Sequence, residues 1–328
     1  IDALAGDESR ALRGRGAEWL TLAQMIDEPS TQVSLARPAP RPPLDLRPDA
    51  LSVTRIETLR RDPYAIYAER ILKLKPLQAL DFTIGASEQG TAVHAALAAF
   101  AERWPSGALP PEARVLLFEE ARKHLAPFFV DPAWRAFRWP LLQAGLDFLL
   151  GYEAERRGEL DRVFGEARGR LAFELDDRSR FILTAEADRI EIDRSGRTRI
   201  VDYKTGEPPS PKQIEIGLAS QLTLEAAMAR RGAFADIGSV EPESGAYIKL
   251  GGKNGGKTIF APVAGEAFAD LAEAHFSELK KLLSAYRDPS RGYPSRALAQ
   301  FIKHDGDFDH LARVKEWSAA GGGAEDDA

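Results

Sequence analysis

Apolar positions recur at two different periods along this chain, and the change from one to the other divides it. In the first stretch the period is helical. Thr54 followed by Glu57 has the spacing of a capping box and predicts a helix opening there. Asp62-Pro63 interrupts it, and a second helical stretch is expected over 63–74. Val93, Leu97, Phe100 and Trp104 repeat on one face and predict a helix over 86–104. Two more helices are expected over 111–129 and 132–157, with Trp134, Phe137 and Leu141 as a core-facing stripe.

From Phe164 onward the period becomes two. Residues 168–176, 181–193 and 198–204 alternate apolar and polar side chains, separated by Asp176-Asp177-Arg178-Ser179 and Arg194-Ser195-Gly196. That pattern predicts a three-strand antiparallel meander. A helix over 211–231, strands near 245–250 and 258–262 around a Gly-rich turn, and a helix over 264–286 complete the pattern. The expected fold class is α/β, a central mixed sheet flanked by helices, with a helical insertion before the core strands.

Upstream, a short helix is expected over 16–26. Six prolines between positions 29 and 48 then forbid a helix and favour an extended linker or surface strap. The expected division is an N-terminal segment over 1–50, a main domain over 51–300 and a tail over 301–328. The tail ends Gly-Gly-Gly-Ala-Glu-Asp-Asp-Ala, a disordered composition. No internal repeat is visible.

Composition narrows the chemistry. With 328 residues, 44% of them hydrophobic, the chain can bury a sizeable core. An Ile at position 1 raises the expectation of a partial or processed chain. There is no signal-peptide pattern and no apolar run near the roughly 20 residues that span a bilayer, so a cytoplasmic protein without membrane contact is expected. The absence of cysteine excludes disulfides, thiolate metal sites and a cysteine nucleophile. The formal net charge of -6 argues against a bulk positive field for nucleic acid, although acidic metal ligands would lower the total around a local basic groove.

The strongest local signal is Ile200-Val201-Asp202-Tyr203-Lys204-Thr205-Gly206. Strand alternation puts Asp202 and Lys204 on one face and Val201 and Tyr203 on the other. Glu186 and Asp188 share a face of the preceding strand. A hairpin centred near Ser195-Gly196 sets Asp202 opposite Asp188 or Ile190, so the two carboxylates can meet. Two close carboxylates repel unless a cation neutralises them, and such oxygen ligands suit Mg2+ or Mn2+. Such an ion with a neighbouring lysine has the parts needed to hydrolyse a phosphodiester.

Asp188 followed by Asp202-Tyr203-Lys204 resembles the signature of the PD-(D/E)XK nuclease superfamily, whose core is restriction-endonuclease-like. Gly90-Thr91-Ala92-Val93-His94, Asp188-Arg189-Ile190 and Gln221 resemble its RecB-like branch. Where that branch usually has Gln-x-x-x-Tyr, this chain has Gln221 followed by Glu225. Leu51-Ser52-Val53-Thr54-Arg55-Ile56-Glu57, Arg61-Asp62-Pro63-Tyr64 and Asp309-His310-Leu311-Ala312-Arg313 are similar to the C-terminal nuclease region of the AddB family, over about residues 50–318.

The resemblance implies a nuclease that resects DNA ends for recombinational repair beside an AddA-like helicase/nuclease subunit. It implies metal binding by His94, Asp188, Asp202 and the Tyr203 carbonyl, with Lys204 serving the attacking water and Gln221 positioning the scissile strand. Many AddB proteins hold an iron–sulfur cluster on four cysteines; this chain resembles the subtype without one.

Blander readings stand beside these. Asp-x-Lys on a strand is often a surface ion pair, a helix histidine is often structural, and Glu174 and Glu186 are either acids that support the metal ligands from behind or a solvated face. The fold can also serve as a catalytically silent module that binds DNA or scaffolds a helicase partner. A stand-alone exonuclease of the same superfamily is a further alternative. Gly251-Gly252-Lys253-Asn254-Gly255-Gly256-Lys257-Thr258 matches a nucleotide-phosphate loop. Such a loop must open a helix, whereas Thr258-Ile259-Phe260 reads as a strand, so a flexible hairpin tip is expected. Lys249, Lys253, Lys257 and the helix start at Pro211-Lys212-Gln213 are candidates for contact with a DNA backbone.

Overall fold

The structure is a computed structural model that describes residues 9–27, 35–76, 85–251, 255–302 and 305–320. The expected disordered end, 321–328, lies outside the described residues, as does the hairpin tip at 252–254. The chain forms two compact units: one of residues 1–37 and 313–328, the other Pro38–Ala312. The first contains helices Ser9–Asp27 and Val314–Ala320, and the Arg37 guanidinium lies 5.8 Å from the centre of the Trp317 ring.

The second unit is built on a six-stranded mixed sheet. Its strands are β1 (Ala50–Ser52), β2 (Leu160–Glu174), β3 (Arg180–Asp193), β4 (Arg197–Lys204), β5 (Glu241–Leu250) and β6 (Gly256–Phe260). Strands β2, β3 and β4 form the expected antiparallel meander, β4 and β5 run parallel, and β6 returns antiparallel. Strand β2 begins at Leu160, earlier than the alternation suggests, because Arg162, Val163 and Phe164 already pair with β3.

One edge of β3 is shared. β1 pairs with Ile182–Thr184 in parallel, and β4 pairs only with Arg189–Ile192. Residues 185–188 between them have no strand on that side. The β3–β4 ladder pairs Arg189 with Val201, so continuing its register sets Asp188 against Asp202 just where the strands part.

Helices cover both faces. On the first lie α1 (Val53–Arg61), α2 (Pro63–Ile66), α6 (Pro211–Glu215), α7 (Gln221–Arg230) and α8 (Glu266–Ala285), whose apolar residues pack with Ile200 and Tyr247. On the second lie α3 (Ala86–Arg103), α4 (Ala113–His124) and α5 (Trp139–Arg156), packed on Val201, Tyr203, Ile248 and Leu250. The alternation read from the sequence therefore assigns β4 to its faces correctly.

Four expectations need correction. The α1 N-cap is Ser52, whose hydroxyl accepts the Arg55 N–H at 3.3 Å; Thr54 and Glu57 form no capping box. The stretch after Pro63 leaves α geometry for a π turn at Tyr67–Ile71. A second π turn, Trp134–Arg138, inserts an extra residue before α5 and shifts its phase. Trp134, Trp139, Leu142 and Leu146 are thus buried, while Phe137 is 73% exposed and Leu141 44% exposed, so that stripe is not all core.

The expected helix over 211–231 is two helices. Gly217 breaks it at φ +70°, and Arg60 and Arg61 donate to the Gly217 and Leu218 carbonyls at 2.8 and 2.6 Å. The prolines at 38 and 40 lie in a strap: the Ser295 and Tyr293 N–H groups donate to their carbonyls. Arg47 anchors its far end through the Tyr286 and Asp288 carbonyls.

Candidate active site

The parting of β3 and β4 exposes backbone groups that a ladder would otherwise use, and a side chain takes one of them. The Tyr203 N–H donates to Asp188 Oδ2 at 2.8 Å. The other Asp188 oxygen lies 3.1 Å from His94 Nδ1, so α3, β3 and β4 are joined at one carboxylate. Asp202 projects from the neighbouring strand with a side chain only 2% exposed. Lys204 Nζ lies 2.7 Å from Asp202 Oδ2, but off the hydrogen-bonding axis, so that oxygen has an ion-pair neighbour and no aligned donor among the described residues.

The first turn of α7 closes the other side. Lys204 Nζ donates to Gln221 Oε1 at 3.4 Å, and Gln221 Nε2 donates to Glu225 Oε1 at 3.2 Å. The Gln221 N–H donates to Glu57 Oε1 at 3.1 Å, which ties the start of α7 to α1. His94, Asp188, Asp202, Lys204 and Gln221 are thus brought into one constellation from four separate elements of the chain. The Tyr203 side chain turns to the opposite face, where its hydroxyl meets Arg189.

Burial and charge act together here. Burial and the neighbouring Asp188 charge push the Asp202 carboxyl up to about 7, against the opposing pull of Lys204. Burial and the charges of Asp202 and Asp188 hold Glu225 well above the usual carboxylate range, and its Oε2 has no hydrogen-bond donor among the described residues. Burial opposes the charged forms of His94 and Lys204, but Asp188 for the histidine and Asp202 for the lysine outweigh it, and both are raised.

Sequence reasoning placed one of these groups differently and gave another no role. Glu57 was expected in a helix cap and instead braces Gln221. Glu225 has no fixed expected role, and it lies completely buried beside the acids. The signal that could have found it is its i+4 spacing from Gln221 on a helix that is otherwise uncharged up to Arg230. Glu174 and Glu186 lie on a solvated face: Glu174 is exposed, and Glu186 pairs with exposed Arg168 at 3.0 Å.

Arg189 of the Asp-Arg-Ile stretch points away from the site into a buried network. Its guanidinium binds Glu153 bidentately and donates to Glu191 at 2.8 Å; Arg157 also holds Glu153, and the Tyr152 hydroxyl donates to Glu191 at 3.0 Å. The Gly251–Thr258 segment joins strand β5 to strand β6, so it lacks the helix start a phosphate loop needs.

The model of the PD-(D/E)XK nuclease superfamily matches residues 50–297. The chain belongs to that superfamily. The mixed sheet flanked by helices is consistent with its fold, and its members are in general metal-dependent nucleases. Similar proteins include an uncharacterized protein of Rickettsia bellii, 32% identical over 219 residues, or 62% of this chain and 26% of that protein. Another, from Rickettsia conorii, is 30% identical over 198 residues, or 59% of this chain and 23% of that one. The chain thus spans about a quarter of the length of these relatives. The crystal structure of SSO0001 aligns over 81% of this chain and 88% of that one at 12% identity, with a TM-score of 0.29.

Among the described residues, no three His, Cys, Asp or Glu side chains stand as a ready-made metal cage. The donor chemistry nevertheless fits a small divalent cation. Mg2+ is usually held by one or two carboxylates together with water and substrate phosphate, not by an all-protein shell. Asp188 and Asp202 supply two such carboxylates, one of them with an oxygen lacking an aligned donor.

Proposed function

We propose that this superfamily member is a Mg2+-dependent deoxyribonuclease of exonuclease type, with Mn2+ as a substitute. It would resect DNA ends in double-strand break repair, as the nuclease domain of an AddB-like subunit beside an AddA-like helicase/nuclease. The observation that carries the nuclease reading is the convergence of Asp188, Asp202 and Lys204 where β3 and β4 separate. The repair role rests on the sequence similarity of the segments at 51–57, 61–64 and 309–313.

Asp188, Asp202, the Tyr203 carbonyl and His94 would hold the ion. When bound, it supplies a Lewis acid for a phosphate oxygen and a more acidic water. Lys204 would orient the attacking water and offset the charge that grows on the phosphorane. Gln221, fixed between Lys204 and Glu225, would set the lysine's position and receive the scissile strand. His94 would fix the orientation of the Asp188 carboxylate.

The test is cleavage of end-labelled DNA by the purified chain with Mg2+ or Mn2+, compared with Lys204→Ala. Loss of about 10³-fold in rate, with an unchanged melting temperature, is expected from removing a group that stabilises transition-state charge. Equal cleavage by the variant overturns the assignment. No cleavage by the parent, with retained DNA binding, favours the silent DNA-binding module.

A further inference from the structure

Strand register places three lysines on one rung of the sheet. Lys204 at the end of β4 is the parallel partner of Lys249 in β5, and Lys249 is the antiparallel partner of Lys257 in β6. Residues in register project from the same face. Ile248 and Leu250, which flank Lys249, turn into the opposite core, so Lys249 shares the face of Asp202. With neighbouring strands about 4.8 Å apart, the rung runs about 10 Å from the candidate site to the sheet edge.

An anion already sits on this rung. Glu207, three residues beyond Lys204, sets one carboxylate oxygen 2.7 Å from Lys257 Nζ and the other against Lys249 Nζ. The two ammonium groups hold its carboxyl down to about 2. The carboxylate is 58% exposed and Lys257 49% exposed, so water and solutes reach the cradle. Without an anion between them, two ammonium groups so close repel each other.

The cradle is also held in place. Gly255 and Gly256, at the start of β6, lie directly on α5, an approach only glycine allows: a Cβ on Gly255 would stand 2.6 Å from the Ala144 carbonyl oxygen, and one on Gly256 would stand 2.5 Å from the Phe148 ring.

We propose that Lys249 and Lys257 grip a backbone phosphate of the DNA strand passing through the Lys204 site, with the Glu207 carboxylate as the resident anion that the phosphate displaces. Exposed ion pairs are weak, so the exchange costs little, and a phosphodiester brings the same charge to the same two donors. The rung then carries the strand from the scissile position toward the β6 edge. The proposal uses the nuclease reading only to name the strand; binding by the lysines stands or falls separately.

The experiment measures binding of a fluorescein-labelled single-stranded oligodeoxynucleotide to the full chain by anisotropy, in EDTA so that no cleavage occurs, across a salt series. K249Q/K257Q is expected to weaken binding roughly tenfold at 0.1 M salt and to flatten the log Kd against log salt slope by about 1. E207Q is expected to tighten binding several-fold. K123Q, an exposed lysine on α4 across the sheet, should change neither and controls for general charge loss. Unchanged affinity and slope in K249Q/K257Q, or a loss no larger than in K123Q, overturns the proposal; unchanged affinity in E207Q overturns the exchange. If the parent never cleaves yet the lysines govern binding, the nuclease reading fails and this one holds; cleavage with lysine-independent binding gives the reverse.

Discussion

Two collections of buried charge lie on opposite faces of β3 and β4, and they are composed in opposite ways. Behind the strands, Arg189, Arg157 and Arg156 surround Glu153 and Glu191, and both carboxylates are hydrogen-bonded. Burial would raise Glu153, but Arg189 and Arg157 overcome it and hold the carboxyl below its usual range. In front, Asp188, Asp202 and Glu225 share one lysine and one histidine, and two buried carboxylate oxygens have no aligned donor among the described residues. There burial and like charge win, and Asp202 and Glu225 are raised. A network whose carboxylates are all hydrogen-bonded to cations supports the fold; one beside it with too few cations for its acids has an electrostatic demand that a further cation would meet.

The largest expected effect separates the two by function. Asp202→Asn should reduce Mg2+-dependent cleavage by about 10³-fold while leaving the metal-free fold at least as stable as the parent. A variant that cuts normally would place Asp202 with the structural charges.

On the opposite face, Arg189→Met should leave Glu153 and Glu191 buried without their main cation. A loss of about 3–5 kcal/mol in urea-monitored stability is expected. Replacing Glu153, Arg157, Arg189 and Glu191 together by apolar residues should recover much of it. A single variant as stable as the parent would end the contrast.

The pH dependence carries a definite sign. Asp202 holds its proton up to about 7 in the folded chain but only to about 3.8 when unfolded. Between those values the folded state binds the extra proton, so its contribution to stability falls as pH rises. In EDTA, the stability advantage of Asp202→Asn over the parent should therefore grow between pH 5 and pH 8. A pH-independent difference contradicts the raised carboxyl.

The smallest effect is expected at Glu225. Burial and the neighbouring Asp202 and Asp188 charges raise its carboxyl and favour the neutral form, which Gln matches in shape, so Glu225→Gln should shift stability by less than about 1 kcal/mol. A large gain on this substitution would show that a carboxylate charge had been buried there.

Much of this site was legible because strand alternation is local. Asp202 with Lys204, and Val201 with Tyr203, separate onto two faces by geometry alone, and a hairpin turn sets the distance at which Asp188 meets Asp202. The π turn before α5 and the break at Gly217 were not legible, because each is held by partners distant in sequence: Gln89 on Trp134 and Phe118 on Trp139 in one case, Arg60 and Arg61 in the other. Glu57 was misread for the same reason, since its spacing from Thr54 suited a cap while its actual partner lies 164 residues away.

By itself, then, the sequence determined the periodicity, the mixed α/β architecture and the acidic pair with its lysine, because those depend on side-chain alternation and short turns. Only the tertiary structure decided which acids are satisfied and which are not. Burial, the distance between charges and the direction of a hydrogen bond are properties of residues brought together by folding, and they set whether Arg189 neutralises its neighbours and whether Asp202 still requires a cation.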